Sequence, residues 1–273
     1  MKLSVAIASS EAPSSAFVVW RGFEESIKKA AAMGYQGVEL ALKNAAEIDF
    51  DKISKCLNEN NIEVSCISTG QVFAVSNLYF THPEKEKRDE VIKVFSELAT
   101  LASKFGCMLN VGRTRGFIAE NQTREEAENL FIDTARKICD DAAEKNVEII
   151  IEPVNRYEIN FVNNLDEGAE LLKKVERKNL GLMPDVFHMN IEDAQIGGAL
   201  AKHGDLVRYI HFAASNRLAP GQGHLDWDDI FSGLQSANFD GWASIEIFPK
   251  PDANTAAKQA VEFIMAKIKE FNK

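Results

Sequence analysis

Eight short apolar segments, each followed by a helical pattern, are the feature of this sequence that most limits its fold. Most are continuous apolar runs, which is typical of parallel strands covered on both faces. The predicted strands span residues 3–8, 37–40, 63–68, 108–112, 147–152, 180–185, 207–212 and 243–248. Eight β-then-α units predict an α/β fold, a single (β/α)8 TIM barrel, with an open doubly wound sheet as the alternative.

The segments between the predicted strands carry residues that begin and end helices. Thr123 and Glu126 form a T-x-x-E capping box ahead of a helical pattern. Gly34 and Gly106 each follow such a pattern, and glycine is common just past a helix. No linker or low-complexity segment interrupts the series. We therefore predict one TIM-barrel domain over residues 1–273, a usual length for this fold.

Composition limits the kinds of partner that the chain is expected to bind and the compartment in which it is expected to occur. It has 31 Lys plus Arg against 41 Asp plus Glu, a formal net charge of −10, which disfavours binding to nucleic acid. No GxGxxG follows a predicted strand and no GxxxxGK(S/T) occurs, which lowers the case for a nucleotide site. No segment approaches the ~20 apolar residues of a membrane span, and no signal peptide is recognisable. The four cysteines form no CxxC pair, so we expect buried free thiols in a cytoplasmic protein.

Four consecutive predicted strands each carry a metal-binding side chain towards the C-terminal end. These residues are Glu152, Asp185, His211 and Glu246. Each lies in an otherwise apolar run, where an unpaired charge costs several kcal/mol (about 3–5), and a divalent cation would remove that cost. Three carboxylates and one imidazole favour Mn²⁺ or Mg²⁺ and tolerate Co²⁺, with Mn²⁺ preferred. The sequence thus predicts a mononuclear metal site at the rim where a barrel places its catalytic groups.

A second set of polar residues follows the strands that carry these predicted ligands. Glu158, His188 and Arg217 supply a carboxylate, an imidazole and a guanidinium, which suit the binding of a polyhydroxylated substrate. Salt bridges within loops are the alternative explanation for the same residues.

The segments that carry both sets are IEPVNRYEINFVN, MPDVFHMNIED, HFAASNRLAPGQGHLDW and IEIFPKPD. They resemble the sugar isomerase/epimerase barrels related to xylose isomerase, and most closely the D-tagatose and D-psicose type of ketose 3-epimerase. The resemblance extends over nearly the whole chain, and its first half is much less distinctive. It places the metal ligands and the substrate-binding residues at the two sets already found.

The resemblance also implies a mechanism. Glu152 and Glu246 would act as base and acid on opposite faces of a carbon next to a carbonyl, through a metal-stabilised enediolate. His188 and Arg217 would hold the substrate oxygens, and Glu158 would orient the first hydroxyls. We therefore predict a divalent-metal-dependent epimerase of a ketose or keto sugar acid. Relatives of this type are commonly dimers or tetramers, so we expect a homo-oligomer.

Other activities use the same framework. An aldose–ketose isomerase similar to hydroxypyruvate isomerase, and a lyase similar to inosose dehydratase, need the same metal and bases and stay open. A DNA-repair endonuclease barrel is disfavoured, because its metal centre needs more histidines than the five of this chain and a basic face. A non-catalytic sugar-binding barrel has no need of two carboxylate bases.

Four further residues bear on the substrate and on His211. Arg113 and Arg115 follow the fourth predicted strand, and Arg115 is predicted to bind the carboxylate of a sugar acid. Salt bridges at the rim are the alternative for both arginines. Glu39 ends the second predicted strand and is expected either to contact the substrate or to pair with a rim arginine. Ala214 stands where related sequences often have an acidic residue, so a polar partner of His211 is expected to be missing.

Overall fold

The computed structural model of this chain describes residues 1–14 and 16–271. Its nine strands within these ranges belong to one parallel sheet, and eight of them form a barrel. The strands are β1 (Lys2–Ala8), β2 (Trp20–Arg21), β3 (Gly37–Ala41), β4 (Glu63–Ser68), β5 (Met108–Val111), β6 (Ile149–Ile151), β7 (Leu180–Leu182), β8 (Tyr209–Phe212) and β9 (Trp242–Ile245).

The strand order establishes the barrel. Hydrogen-bonded neighbours run in the order β7-β6-β5-β4-β3-β1-β9-β8, and the two-residue β2 pairs with β1 outside this path. The two ends of the path meet through parallel bridges between Leu182 and Val207 and between Asp185 and His211. The sheet therefore closes on itself, and the predicted (β/α)8 TIM barrel is confirmed over the open doubly wound alternative.

Helices surround the barrel and follow the strands in the expected alternation. They are α1 (Phe23–Met33), α2 (Phe50–Asn60), α3 (Gly70–Ser76), α4 (Lys85–Phe105), α5 (Arg124–Glu144), α6 (Leu165–Val175), α7 (Val186–Glu192), α8 (Ile196–Lys202), α9 (Trp227–Ser236) and α10 (Ala253–Phe271). None of the helices in the described ranges is both long and apolar enough to cross a bilayer.

The local signals of the sequence correspond to real helix ends. Gly34 and Gly106 are left-handed, with φ of 91° and 67°, and their amides donate to the last turns of α1 and α4. Both bonds of the capping box form at the start of α5, where Thr123 accepts from the Glu126 amide. The expectation of buried free cysteines is also confirmed for all four thiols.

The strands that carry the candidate site are shorter than the sequence predicts. Residues 147–152 and 180–185 contain strands of only three residues, Ile149–Ile151 and Leu180–Leu182. Pro184 has no amide proton to donate, and Asp185 begins the next helix by accepting from the Phe187 amide at 2.8 Å. The polar ends of these segments lie just beyond the regular strands, at the barrel mouth.

Candidate active site

The four residues predicted as metal ligands meet at the C-terminal ends of neighbouring strands. Glu152 follows β6, Asp185 follows β7, His211 lies in β8 and Glu246 follows β9. Asp185 pairs with His211 where the barrel closes, and the Glu246 amide donates to the Phe212 carbonyl at 3.3 Å. Each of the four residues offers one ligand atom, and these atoms all lie within 4.8 Å of one another. The register of the barrel thus gathers residues that are up to 94 positions apart, from 152 to 246.

Three of these side chains are carboxylates in a buried cluster, and their charges repel one another. Burial and the charge of Glu152 raise the pKa of Asp185 to about 6 and that of Glu246 to about 8. Burial also opposes the ionisation of Glu152, but the nearby positive charge of His211 outweighs it and lowers the pKa of Glu152 to about 2. A divalent cation among the carboxylates would offset their mutual repulsion.

Two buried atoms of the cluster have no hydrogen-bond partner among the described residues. They are Nδ1 of His211 and Oδ2 of Asp185. The Nδ1 atom lies 3.7 Å from Oε1 of Glu152 and 3.7 Å from Oε2 of Glu246, too far for a hydrogen bond. Buried polar atoms are rarely left unpaired. A buried nitrogen and a buried oxygen without hydrogen bonds, together with the oxygen-rich donor set, fit a divalent metal ion.

The other ring nitrogen of His211 is held by Glu39 inside the barrel. Nε2 of His211 and the hydroxyl of Tyr209 both donate to Oε2 of Glu39 at 2.9 Å, and Glu39 is fully buried. Burial opposes protonation of His211, but the charges of Glu39 and Glu246 raise its pKa well above the usual range. Neither expectation for Glu39 is correct, because it pairs with a histidine. His211 also has a polar partner despite Ala214, since that partner comes from β3.

His188 lies in the first turn of α7, directly beside the cluster. Its Nε2 atom is 3.7 Å from Oε1 of Glu152 and 3.8 Å from Oδ2 of Asp185. Its Nδ1 atom contacts the Asn155 side-chain amide at 2.7 Å, and its Nε2 atom lies 3.3 Å from Nη1 of Arg217. Burial and the charge of Arg217 lower the pKa of His188 well below its usual value.

Arg217 reaches across the mouth of the barrel to the carboxylate cluster. It is ion-paired with Asp185 at 3.2 Å and with Glu246. Its guanidinium lies between two aromatic rings, 4.3 Å from the centroid of Phe17 and 4.6 Å from that of Phe187. The rings fix the plane of the guanidinium and therefore the direction of its N–H groups.

Glu158 lies at the outer edge of the same site. Its Oε1 atom accepts from the Asn155 amide at 3.2 Å and is 3.9 Å from Nδ1 of His188. Asn155 was not predicted as a site residue, although it lies within the quoted NRYE segment. It is nearly fully buried, and it links Glu158 to His188. The only sequence signal for Asn155 was its position within this segment. Its contact with His188 of α7 reveals that it positions the imidazole.

An open cavity of about 690 Å³, measured with its solvent-filled mouth, joins these groups. Its walls include Glu152, Glu158, His188, Arg217 and Glu246. Side chains from the first half of the barrel complete the lining: Pro13, Ala16, Phe17, Val18, Ala41, Ser68, Gln71, Ala74, Asn110 and Arg113. The cavity is of a size that accommodates a small molecule.

Arg115 does not reach this cavity, which corrects the prediction that it binds the substrate. Its guanidinium is fully buried and donates to the main-chain carbonyls of Phe161 at 2.7 Å, Glu152 at 2.8 Å, Val162 at 2.8 Å and Gly112 at 3.1 Å. Four of its five N–H groups are thus committed to the backbone. These hydrogen bonds hold together the loops that follow β5 and β6, and the fully buried guanidinium cannot contact a ligand in the cavity.

Comparison with known proteins agrees with this arrangement. Residues 27–267 match the family described as "Xylose isomerase-like TIM barrel". The chain belongs to this family. It is 30% identical over 234 residues to the L-ribulose 3-epimerase of a Methylomonas species, a match covering 83% of this chain and 79% of that relative. It is 26% identical over 229 residues to the D-psicose 3-epimerase of Ruminiclostridium cellulolyticum, covering 81% of this chain and 77% of the relative.

Solved structures support the fold. The crystal structure of a D-allulose 3-epimerase from a Methylomonas species superposes with a TM-score of 0.84 at 23% identity, covering 98% of each chain. The named relatives are epimerases, so the family member described here is an enzyme of the isomerase class. The resemblance stated from the sequence is confirmed.

Proposed function

We propose that this protein is a divalent-metal-dependent epimerase that acts on a ketose or a keto sugar acid. The observation that carries the proposal is the convergence of Glu152, Asp185, His211 and Glu246 to within 4.8 Å at the base of a cavity. Its relatives named L-ribulose 3-epimerase and D-psicose 3-epimerase support the reaction class.

Glu152 and Glu246 are proposed as the acid/base pair. They follow β6 and β9, which are separated around the barrel by β7 and β8, so they reach the cavity from different directions. One carboxylate would remove the proton next to the carbonyl, and the other would return a proton to the opposite face. Their environments drive their pKa values apart, below the usual range for Glu152 and above it for Glu246.

The remaining site residues would position the substrate. The imidazole of His188 and the guanidinium of Arg217 lie against the carboxylate cluster, so both can contact oxygens of the reacting carbons. Glu158 lies further out and would accept from a substrate hydroxyl. Phe17 and Phe187 hold the Arg217 plane, so that its donors are oriented before the substrate arrives.

Glu152, Asp185, His211 and Glu246 would hold the cation, with Mn²⁺ preferred and Mg²⁺ or Co²⁺ as alternatives. When bound, the cation supplies positive charge that stabilises the developing negative charge on the carbonyl oxygen. A homo-oligomer in the cytoplasm stays a prediction of the sequence and of the resemblance.

The test is incubation in D₂O with Mn²⁺ and a panel of ketoses and keto sugar acids, followed by NMR. The proposal expects metal-dependent deuterium incorporation next to the carbonyl together with the appearance of the epimer. Transfer of the carbonyl to another carbon would identify an aldose–ketose isomerase instead, and loss of water would identify a lyase. Absence of exchange with every compound would reject the proposal.

Two variants make the test specific. Glu246→Gln removes a proposed base and a metal ligand, so exchange and epimer formation should fall at least about a hundredfold while the fold persists. Glu63→Gln is the control, because Glu63 lies at the opposite end of the barrel and pairs with Lys2 on the surface. Full activity in Glu246→Gln would contradict the assignment.

A further inference from the structure

We propose that Arg113 is a substrate-recognition residue and that the preferred substrate is a keto sugar acid, whose carboxylate it binds. This inference rests on the proposed function and adds the substrate class to it. The observations that carry it are the position of Arg113 in the cavity wall and the lack, among the described residues, of a carboxylate partner for its guanidinium.

Arg113 is the first residue of the turn that follows β5, and it lines the cavity. In the 3-10 turn Arg113–Arg115, Thr114 and Arg115 are buried, and Arg113 is the partly exposed member. Gly112 precedes it against the carboxylate cluster, where an added Cβ would lie 2.9 Å from Oε2 of Glu152. Gly112 therefore lets the chain pass beside Glu152, and Arg113 extends the same wall of the cavity.

The guanidinium of Arg113 has no anionic partner in the described part of the chain. No carboxylate oxygen of a described residue lies within 4.0 Å of it. The donors of two nearby arginines are already used, since Arg217 is paired with Asp185 and Glu246 and Arg115 donates to four carbonyls. In a chain of net charge −10, an arginine that faces a cavity and lacks a carboxylate partner has donors available for a ligand.

An aromatic surface keeps Arg113 in place without using its donors. The centre of the guanidinium lies 5.5 Å from the ring centroid of Phe73 in α3. Phe73 is itself packed against Tyr79 and Phe117, at 5.9 Å and 6.4 Å between centroids. Contact with a ring face leaves the in-plane N–H groups of a guanidinium free, and their fork matches the two oxygens of a carboxylate.

The cavity therefore combines two kinds of group. Glu152, His188, Arg217 and Glu246 line it and would act on the carbonyl end of the substrate. Arg113 contributes to the same lining a positive charge without a carboxylate partner among the described residues, beside Gln71 and Ala74 of α3. A ketose that carries a carboxylate could bind both kinds of group.

The experiment compares matched substrates that differ only in the oxidation of the last carbon: D-tagaturonate with D-tagatose, and D-fructuronate with D-fructose. The wild-type enzyme with Mn²⁺ should show a higher kcat/KM for the acid of each pair. Arg113→Gln should lower kcat/KM for the acids about 10- to 100-fold and change it for the neutral ketoses less than about threefold. Arg113→Lys keeps the charge and should recover part of the loss.

The control variant is Arg156→Gln, which removes a guanidinium paired with Glu192 outside the cavity and should leave the preference unchanged. Equal loss on acids and neutral ketoses in Arg113→Gln, or a wild-type preference for neutral ketoses, would overturn the proposal.

Binding separates this inference from the proposed function. Calorimetry on chelator-treated wild-type protein should show tighter binding of D-tagaturonate than of D-tagatose, and Arg113→Gln should abolish the difference. No difference in the wild-type protein overturns the role of Arg113 even if epimerisation occurs. A clear difference without deuterium exchange would uphold the role of Arg113 and reject the epimerase.

Discussion

At the scale of single residues, the two ring nitrogens of His211 show how the candidate metal site is built. Nε2 donates to the buried carboxylate of Glu39, and Nδ1 faces Glu152 and Glu246 without a hydrogen bond. A carboxylate behind a metal-binding histidine fixes its tautomer and ring orientation. Glu39 is in turn anchored by the hydroxyl of Tyr209, which Ser65 contacts at 2.7 Å. A polar network inside the barrel thus orients one proposed ligand.

The first prediction concerns Glu39. Glu39→Gln keeps the side-chain volume but weakens the acceptor that holds Nε2 of His211, so we expect Mn²⁺ affinity to fall about 10- to 100-fold. Titration calorimetry measures the affinity, and ¹⁵N NMR of the imidazole reports whether the tautomer has changed. Glu63→Gln, on the far side of the barrel, serves as the matched control. Unchanged affinity together with an unchanged tautomer would show that Glu39 has no positioning role.

The second prediction concerns the two arginines of one short turn. Arg115→Met leaves the carbonyls of four residues without their buried donor, so we expect the free energy of unfolding to fall by about 3 kcal/mol or more. Arg113→Met removes a guanidinium that contacts one ring and should cost less than about 1 kcal/mol. Urea unfolding of both variants measures the difference. Equal losses would contradict the structural role assigned to Arg115.

At the scale of elements, the passage from β7 to α7 determines where two site residues lie. Asp185 is the N-cap of α7 and also a member of the candidate metal set, and His188 follows within the first turn of the helix. The cap fixes the start of the helix, and the start of the helix fixes the direction of His188. Pro184, one residue earlier, has no amide proton to donate, and its carbonyl accepts from the His211 amide at 2.9 Å. Local chain geometry therefore couples a proposed ligand to a proposed substrate contact.

The third prediction concerns the other end of α7, where Asp193 is the C-cap. Burial, and next the charges of Asp166 and Glu192, raise the pKa of Asp193 to about 6, and its Oδ2 atom has no hydrogen-bond partner among the described residues. The unfolded carboxyl has a pKa of about 3.9. Since the folded pKa is the higher one, this group destabilises the protein increasingly as the pH rises from about 4 to 6, with the full cost above that window.

Asp193→Asn should therefore raise the free energy of unfolding by about 1–2 kcal/mol at pH 8 and change it little at pH 4. Urea unfolding at the two pH values measures the effect. Asp133→Asn, at an exposed position of α5, is the control and should show no such pH dependence. An equal change in stability at both pH values would contradict the role of ionisation.

At the scale of the whole molecule, closure of the barrel makes the site. Asp185 follows β7 and His211 lies in β8, and these two residues pair at the point where the ends of the sheet meet. Glu152 and Glu246 come from the strands on either side. Metal binding at this point would join strands β6 to β9, so it should stabilise the entire fold rather than one loop.

The fourth prediction follows from this arrangement. Mn²⁺ at about 100 times its Kd should add about 2.7 kcal/mol to the free energy of unfolding. For a chain of this size the expected rise in Tm is roughly 5–10 °C. Chelation should reverse the rise, and Asp185→Asn should abolish most of it, whereas Asp193→Asn should retain it. Differential scanning calorimetry with and without Mn²⁺ checks this, and an equal rise in Asp185→Asn would place the metal elsewhere.

The sequence predicted the site through the few polar residues that interrupt its apolar strands. Glu152, Asp185, His211 and Glu246 were recognisable because a charge in an otherwise buried run needs a partner. The same reasoning failed for Arg115. The sequence beside a strand end does not show whether the N–H groups of an arginine contact a ligand or main-chain carbonyls. It also missed Asn155 and the true partner of Glu39, since each acts through a contact with an element distant in the chain.

By itself, therefore, the sequence determined the order of the elements, the helix ends and the chemical composition of the candidate site. These features depend on periodicity and on residues within a few positions of one another, which a linear chain displays. Only the tertiary structure decided which arginine faces the cavity, which nitrogen of His211 is free and which carboxylates share one buried space. Those outcomes depend on register and on packing between strands far apart in the chain, such as those of Glu39 and His211, which are 172 residues apart.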